Sequence, residues 1–287
     1  MRDFDKKSYD FTVVNAIAEF LNSDFEKGVT QKVESIMQTG VDDEFAVRLL
    51  IGEGGGIDTY GKDRDIFRRY FPLAIKRLES AIFAQDEYYK NLTFNGAKDG
   101  DFELCYQNYQ KYEPFVADDL KVDFSGTVIP QIGFFASEFT YPAVMQKGRI
   151  WMTVTPNEIN TMRAPISRAH GKVLALGLGL GYFAYHCALK PNVESVSVVE
   201  ISEHAIALFK KHILPQFSHP EKVQIIKADG FEFMKNPPVT NYDYVFCDLW
   251  HDVSDGLPMI EKLKPCQKNF PNAEFDYWIE NSVKFYR

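Results

Sequence analysis

The stretch from Lys172 to Leu189 constrains this chain most: it is almost uncharged, yet glycines stand at alternate positions, Gly177, Gly179 and Gly181. A membrane helix needs about 20 consecutive apolar residues. This stretch is shorter, contains His186 and is interrupted by the glycines. A strand over 172–176, a tight glycine turn and a helix reaching Leu189 account for it better. The alternation then continues. Val193–Glu200 reads as a second strand, Ser202 caps a helix running to Ile213, Lys222–Ala228 is a third strand and Tyr242–Asp248 a fourth. Apolar strands separated by helices predict parallel pairing with both sheet faces buried.

Four chemical features fall at the C-terminal ends of these strands, where open parallel sheets bind ligands. After the first strand, glycines let the backbone approach a ligand and leave the next helix N-terminus free for a negative group. Glu200 ends the second strand, where a carboxylate accepts hydrogen bonds from both ribose hydroxyls and repels a 2′-phosphate. Asp229-Gly230 ends the third, placed for the exocyclic amine of an adenine. Asp248-Leu249-Trp250-His251-Asp252 follows the fourth and faces the reactive end of the ligand. Each feature alone is weak, since a glycine turn is often structural and a strand-ending acid is often a helix cap. Their order and spacing carry the nucleotide-site reading.

The dinucleotide fingerprint G-x-G-x-x-G fails here, because Tyr182 occupies its last glycine position. The closer spacing G-x-G-x-G, with Asp229 after the third strand, resembles class I S-adenosylmethionine-dependent methyltransferases. Val193–Ile201, Asp229–Phe233 and Tyr242–Asp248 are similar to the second, third and fourth strand motifs of the spermidine synthase branch of that fold. Tyr141–Met162 is a looser match, and the N-terminal 125 residues show no such resemblance. The resemblance implies that Gly177, Gly179, Gly181, Glu200, Ile201, Asp229, Gly230 and Asp248 hold S-adenosyl-L-methionine. Two departures bear on the reaction. Aminopropyltransferases of that branch carry Asp in the glycine loop where this chain has Leu180. They also follow the fourth-strand Asp with a Ser-Ser-Asp-Pro type of loop, where this chain has Leu249-Trp250-His251-Asp252.

Upstream, the first ~115 residues read as mainly helical. Val13, Val14, Ile17 and Leu21 recur at helical spacing after a cap at Asp10; Val33, Ile36 and Met37 precede a stop at Gly40; Phe45, Leu49 and Leu50 precede one at Gly52. Pro72 is expected to kink or restart a fourth helix, and a further helix is expected over Phe102–Tyr112. Between Thr127 and Thr155 the runs become β-branched and aromatic, with a turn at Lys147-Gly148. Thr155, Pro156 and Glu158 form a helix start. After Asp248 come a helix over Ser254–Leu263 and then Phe275, Trp278, Ile279 and Val283 at helical spacing. The expected fold is therefore α/β: a Rossmann-like methyltransferase-type parallel sheet with only four strands visible, preceded by a helical region and a β-hairpin. The divisions are residues 1–125, 126–165 and 166–287. Strands from Thr127–Thr155, or a partner chain, are expected to cover the edge of the fourth strand.

Composition narrows the function. A formal net charge of −8 argues against a general nucleic-acid surface, which needs clustered Lys and Arg. The opening MRDFDKKSYDF has no apolar leader segment, and Cys105, Cys187, Cys247 and Cys266 form no CxxC pair, so reduced thiols and a cytoplasmic setting are expected. Neither nucleic acid nor membrane is expected as a partner; a homodimer is left open. His204 and His212 lack a third ligand, so no metal is expected. Gly52–Gly56 lacks the Lys-Ser/Thr of a phosphate loop. Tyr88-Tyr89 and Asp118-Asp119 fit a pocket border or a helical surface equally well. Asp248 and His251 are the candidate catalytic residues, with Asp252 able to orient His251; the competing reading of His251 is a loop histidine packed on Trp250. Glu158 is read as a cap before a ligand. The expected activity is methyl transfer from S-adenosyl-L-methionine to a small molecule. The rivals are aminopropyl transfer to a polyamine and a non-catalytic nucleoside-binding module.

Overall fold

The computed structural model describes residues 6–23, 25–94 and 96–285. The opening Met1–Asp5, part of the segment examined for a leader, lies outside them. Helix α1 (Lys6–Leu21) begins before Asp10, so that residue lies within the helix and not at its cap, and Val13, Val14 and Ile17 are buried. Helix α2 (Val29–Met37) ends ahead of Gly40 as the spacing implies. Helix α3 (Asp43–Gly54) runs past Gly52, because the glycines there serve packing: a Cβ on Gly55 would lie 2.2 Å from the Ala16 carbonyl oxygen of α1. Helix α4 (Arg64–Ala74) carries Pro72 in its last turn and gives way to strand β1 (Ile75–Arg77).

The chain continues through α5 (Ser80–Ala84), α6 (Glu87–Asn91), β2 (Lys98–Asp99), β3 (Phe102–Tyr109), β4 (Phe115–Val122) and β5 (Val128–Phe134). Then come β6 (Phe139–Gln146), β7 (Arg149–Thr153), α7 (Pro156–Arg168), β8 (Gly171–Leu176), α8 (Tyr182–Leu189) and β9 (Val193–Glu200). The last elements are α9 (Glu203–Leu208), β10 (Val223–Lys227), α10 (Gly230–Lys235), β11 (Tyr244–Cys247), α11 (Val253–Leu263), β12 (Glu274–Tyr277) and α12 (Glu280–Phe285). Two further expectations for the N-terminal region fail. Phe102–Tyr109 is a strand, its burial alternating from Phe102 and Leu104, and Asp118-Asp119 lies on strand β4, not on a helix.

One compact unit comprises the residues up to Ile82 together with Asn108–Thr140; the second comprises Phe83–Gln107 and the chain from Tyr141 onward. The first holds α1–α4 and a three-stranded sheet in the order β1-β5-β4. The second holds the parallel sheet, in the order β10-β9-β8-β11-β12, and most of a four-stranded sheet, β2-β3-β6-β7. Lys147 and Gly148, both at positive φ, form the expected hairpin turn between β6 and β7.

The parallel sheet has five strands, one more than the sequence shows. Strand β12 pairs with β11 in register Tyr244↔Glu274 to Cys247↔Tyr277, so β12 covers the fourth-strand edge, and neither the Thr127–Thr155 strands nor a partner chain does. The pairing is reinforced across the strands, where Asp276 accepts the Tyr244 hydroxyl and the Arg168 guanidinium. The apolar run that resembles a span is β8 followed by α8, a helix buried at Tyr182, Phe183, Ala184, Tyr185, Cys187 and Ala188. Among the described residues no helix is long and apolar enough to cross a membrane.

Candidate functional site

In chain order the parallel strands run 3-2-1-4-5 across the sheet. The direction of winding reverses between β8 and β11, which opens a crevice at their C-terminal ends. Gly177 follows one of these strands and Asp248 the other. Gly177 has φ 95° and its missing Cβ would lie 2.0 Å from the Asp248 carbonyl oxygen, so only glycine fits where the two loops meet.

Two cavities adjoin at this point and share Trp151, Met152, Gly177, Leu178, Gly179, Asp248, Trp250 and His251 in their walls. The larger, about 370 Å³, is also lined by Glu200, Ile201, Asp229 and Gly230. The other, about 300 Å³, runs under the β7 strand and is lined by Trp151, Glu158, Met162, Leu180, Tyr182 and Trp278 among others. Of the residues assigned to the cofactor or to catalysis, all but Gly181 line one or both of these cavities. That glycine lies behind the loop, where it turns the chain into α8 against the ring of Phe209.

Glu200 is buried and grips both sides of its strand end. Its Oε2 accepts the Leu178 N–H (3.2 Å) and its Oε1 the Ser202 N–H (2.7 Å). A carboxylate has about four lone-pair positions, so it retains capacity toward the cavity while fixing the glycine loop. Asp229 caps α10 through Oδ1, which accepts from the Phe231 and Glu232 N–H groups; the helix-cap reading and its place in the cavity wall both hold. Ile201 is 64% exposed at the end of β9, a flat apolar surface at the cavity mouth.

Residues 159–263 match the model of the Spermine/spermidine synthase domain. The C-terminal half has the class I methyltransferase-type fold in its spermidine synthase-like form. Over 94 residues it is 26% identical to putrescine N-methyltransferase 3 of Nicotiana tabacum, covering 32% of this chain and 24% of that protein. Putrescine N-methyltransferase 2 of Nicotiana attenuata is 24% identical over 94 residues, covering 32% and 25%. The match therefore spans about a quarter of each of these relatives. Spermidine synthase of Thermotoga maritima superposes with a TM-score of 0.31 and 17% identity, covering 45% of this chain and 55% of that one.

Within this spermidine synthase-like fold the electrostatics concentrate at two acids. Desolvation, with the nearby Glu158 adding to it, pushes the Asp248 carboxyl up to about 8. Glu158 is likewise raised by burial, against the opposing hydrogen bonds from Thr155. Its Oε2 accepts the Thr155 N–H (2.7 Å), so it forms the expected capping box and lines the cavity as well. Among the described residues no cation pairs with Asp248, and no Lys or Arg lines the smaller cavity. His251 stands exposed on the rim. Its expected partner, Asp252, instead caps α11, and Asp255 faces the ring at 3.4 Å and the backbone N–H at 3.2 Å. The cap at Asp252 prevails because it satisfies otherwise orphaned N–H groups of the helix start.

Sequence reasoning missed the support behind the loop. The buried Tyr88 hydroxyl donates to the Leu180 carbonyl (2.6 Å), and Tyr89 donates to the Val154 carbonyl. Asp86 accepts the Tyr182 hydroxyl (2.9 Å) and lies 3.0 Å from His186 Nε2. Burial would raise Asp86, but the hydrogen bonds from His186, Tyr182 and the Tyr88 N–H prevail and lower it. The sequence left Tyr88-Tyr89 between a pocket border and a helical surface; both lie on helix α6 and their hydroxyls brace the chain around the loop, while nothing marked Asp86. If Glu200 fastens both loop and ribose, Glu200→Ala is expected to weaken nucleoside binding tenfold or more, about 1.4 kcal/mol per tenfold. Isothermal titration with S-adenosylhomocysteine checks this; unchanged affinity removes Glu200 from the site.

Proposed function

We propose that this protein transfers the methyl group of S-adenosyl-L-methionine to the nitrogen of a small molecule. The observation that carries this reading is the meeting of a nucleoside-sized cavity and a second, acid-lined cavity at Gly177–Gly179 and Asp248. The residues fit the cofactor. Glu200 offers acceptors for ribose, Asp229 for an adenine amine and Ile201 an apolar surface for the base. The glycines leave room where a Cβ would intrude. Leu180, buried in the second cavity wall, takes the place of an acid that would repel the methionine carboxylate. The names of the tobacco relatives, which specify methyl transfer to nitrogen, support the same reading.

S-adenosyl-L-methionine supplies an electrophilic methyl, whose bonding pair to carbon returns to sulfur as the acceptor nitrogen forms its new bond. The protein must present a nitrogen with a free lone pair. Asp248, once ionised at and above about pH 8, takes a proton from an entering ammonium and leaves the amine neutral for attack. Glu158 nearby stabilises the cation before that transfer and the methylated ammonium after it. Alignment in a dry cavity supplies the remaining acceleration.

The test is calorimetric titration with five compounds: S-adenosylmethionine, S-adenosylhomocysteine, decarboxylated S-adenosylmethionine, methylthioadenosine and NAD. The first two are expected to bind at least tenfold tighter than the decarboxylated form, as Leu180 implies. The reverse preference would establish aminopropyl transfer instead. Tight cofactor binding without turnover over an acceptor screen would mean a binding module, and binding of NAD alone would overturn the nucleoside assignment.

A further inference from the structure

Three tryptophans occur in the sequence, and all three, Trp151, Trp250 and Trp278, line the smaller cavity. They come from separate places: strand β7, the loop after β11, and the residue following β12. Met152 adds a further soft, polarisable wall. Among the described residues, Glu158 and Asp248 are the only carboxylates of this cavity. Apart from Thr153 and the rim residue His251, the remaining side chains of the wall are aromatic or apolar, and none is an anion.

A linear diamine would fit this chamber poorly. One ammonium would reach the two acids, but its second would be taken from water into a wall without a counter-charge, a costly burial. Indole faces attract an ammonium by cation–π contact, but less strongly than the water that its three N–H donors give up. An aromatic or other apolar body, by contrast, gains area and ring contact against the tryptophans. Resting on the methyl-transfer reading above, we infer that the acceptor is an amine with a single basic nitrogen on an apolar, preferably aromatic, body. The Glu158–Asp248 pair receives the nitrogen and the tryptophan wall receives the body. This departs from the diamine acted on by the tobacco relatives that the chain resembles.

The experiment titrates amines into the full-length protein saturated with S-adenosylhomocysteine, reading heat and not turnover. The probes are 2-phenylethylamine, its neutral counterpart 2-phenylethanol, and 1,4-diaminobutane. 2-Phenylethylamine is expected to bind at least tenfold tighter than either of the others. Trp151→Leu, a change on a partly exposed strand, is expected to weaken 2-phenylethylamine fivefold or more and to leave 1,4-diaminobutane unchanged. Trp278→Leu provides the same test should the first variant fold poorly. Equal or tighter binding of 1,4-diaminobutane overturns the inference. So does tight 2-phenylethanol binding, which would show that the acids do not read a charge. Failure of every amine while S-adenosylhomocysteine binds overturns the inference and leaves methyl transfer standing. Failure of S-adenosylhomocysteine itself overturns both.

Discussion

Gly177→Ala is expected to remove most of the folded protein, whereas Gly179→Ala, two residues on in the same loop, is expected to be tolerated. The two glycines differ in what a methyl group would meet. At Gly177 it would lie 2.0 Å from the Asp248 carbonyl oxygen, a backbone atom fixed by the Asp248 N–H bond to the Leu176 carbonyl (2.9 Å). Nothing flexible can yield, so β8 and β11 must separate, and φ of 95° adds its own strain. A cost above about 4 kcal/mol is expected, visible as a fall of roughly 10 °C in melting temperature or as insoluble protein. At Gly179 the methyl would lie 2.8 Å from Met152 Cε, the free end of a long side chain, at a φ of 51° that non-glycine residues reach. About 1 kcal/mol is expected there. Thermal melts of the two variants side by side check the contrast; equal stability would mean the loop is not locked to Asp248.

The second large effect is expected at Asp248, with opposite signs for activity and stability. Its carboxyl titrates at about 8 in the folded chain against an ordinary 3.8. Below pH 4 both folded and unfolded states hold the proton, so the group contributes nothing. As pH rises from 4 toward 8 the unfolded chain releases its proton while the folded chain retains it, and stability falls throughout that window. Asparagine does not titrate. Asp248→Asn is therefore expected to match the parent near pH 4 and to exceed it at pH 8.5 by a few kcal/mol, or roughly 5–10 °C. Methyl transfer is expected to fall by about 10²–10⁴-fold, the loss typical of a positioned base. Melting curves at the two pH values, without ligand, decide the matter. A variant less stable at pH 8.5 would show that the fold itself compensates an ionised Asp248.

The strands that face the cleft were legible because each carried two signals at once. Val193–Glu200 combines β-branched residues with a terminal acid, and Lys172–Leu176 is followed by glycines that no helix would tolerate; both appear where expected, within a residue. Strand β12 was not legible. It has four residues, too few for a period, and Phe275 and Trp278 fall by chance at helical spacing around it; the turn at Pro271-Asn272 was its one marker. Phe102–Tyr109 was lost for a related reason: only Phe102 and Leu104 are buried, and the alternation stops before the exposed Tyr106, too short a run to show a period of two. In the site, the acids at strand ends could be named, but their partners could not. That Asp255 and not Asp252 faces His251 depends on which carboxylate caps α11, and nothing in the order of residues decides it. The three tryptophans converge only through the chain's path, so sequence left them as separate residues.

The segment holding Tyr88 and Asp86 belongs to the same unit as the glycine loop, although Asn108–Thr140 of the other unit lies between them in the chain. During synthesis, the first unit has all its residues once Thr140 has emerged, and domains tend to fold as they appear. Residues 83–107 cannot do so. Tyr88 has no Leu180 carbonyl to meet, and Asp86 has neither Tyr182 nor His186, until some 90 further residues have left the ribosome. The aromatic stretch therefore waits for its partners at a stage when the first unit already has all its residues. The portion of chain that matches a known domain is consequently not a cassette: its glycine loop is propped by residues made some 90 positions before it.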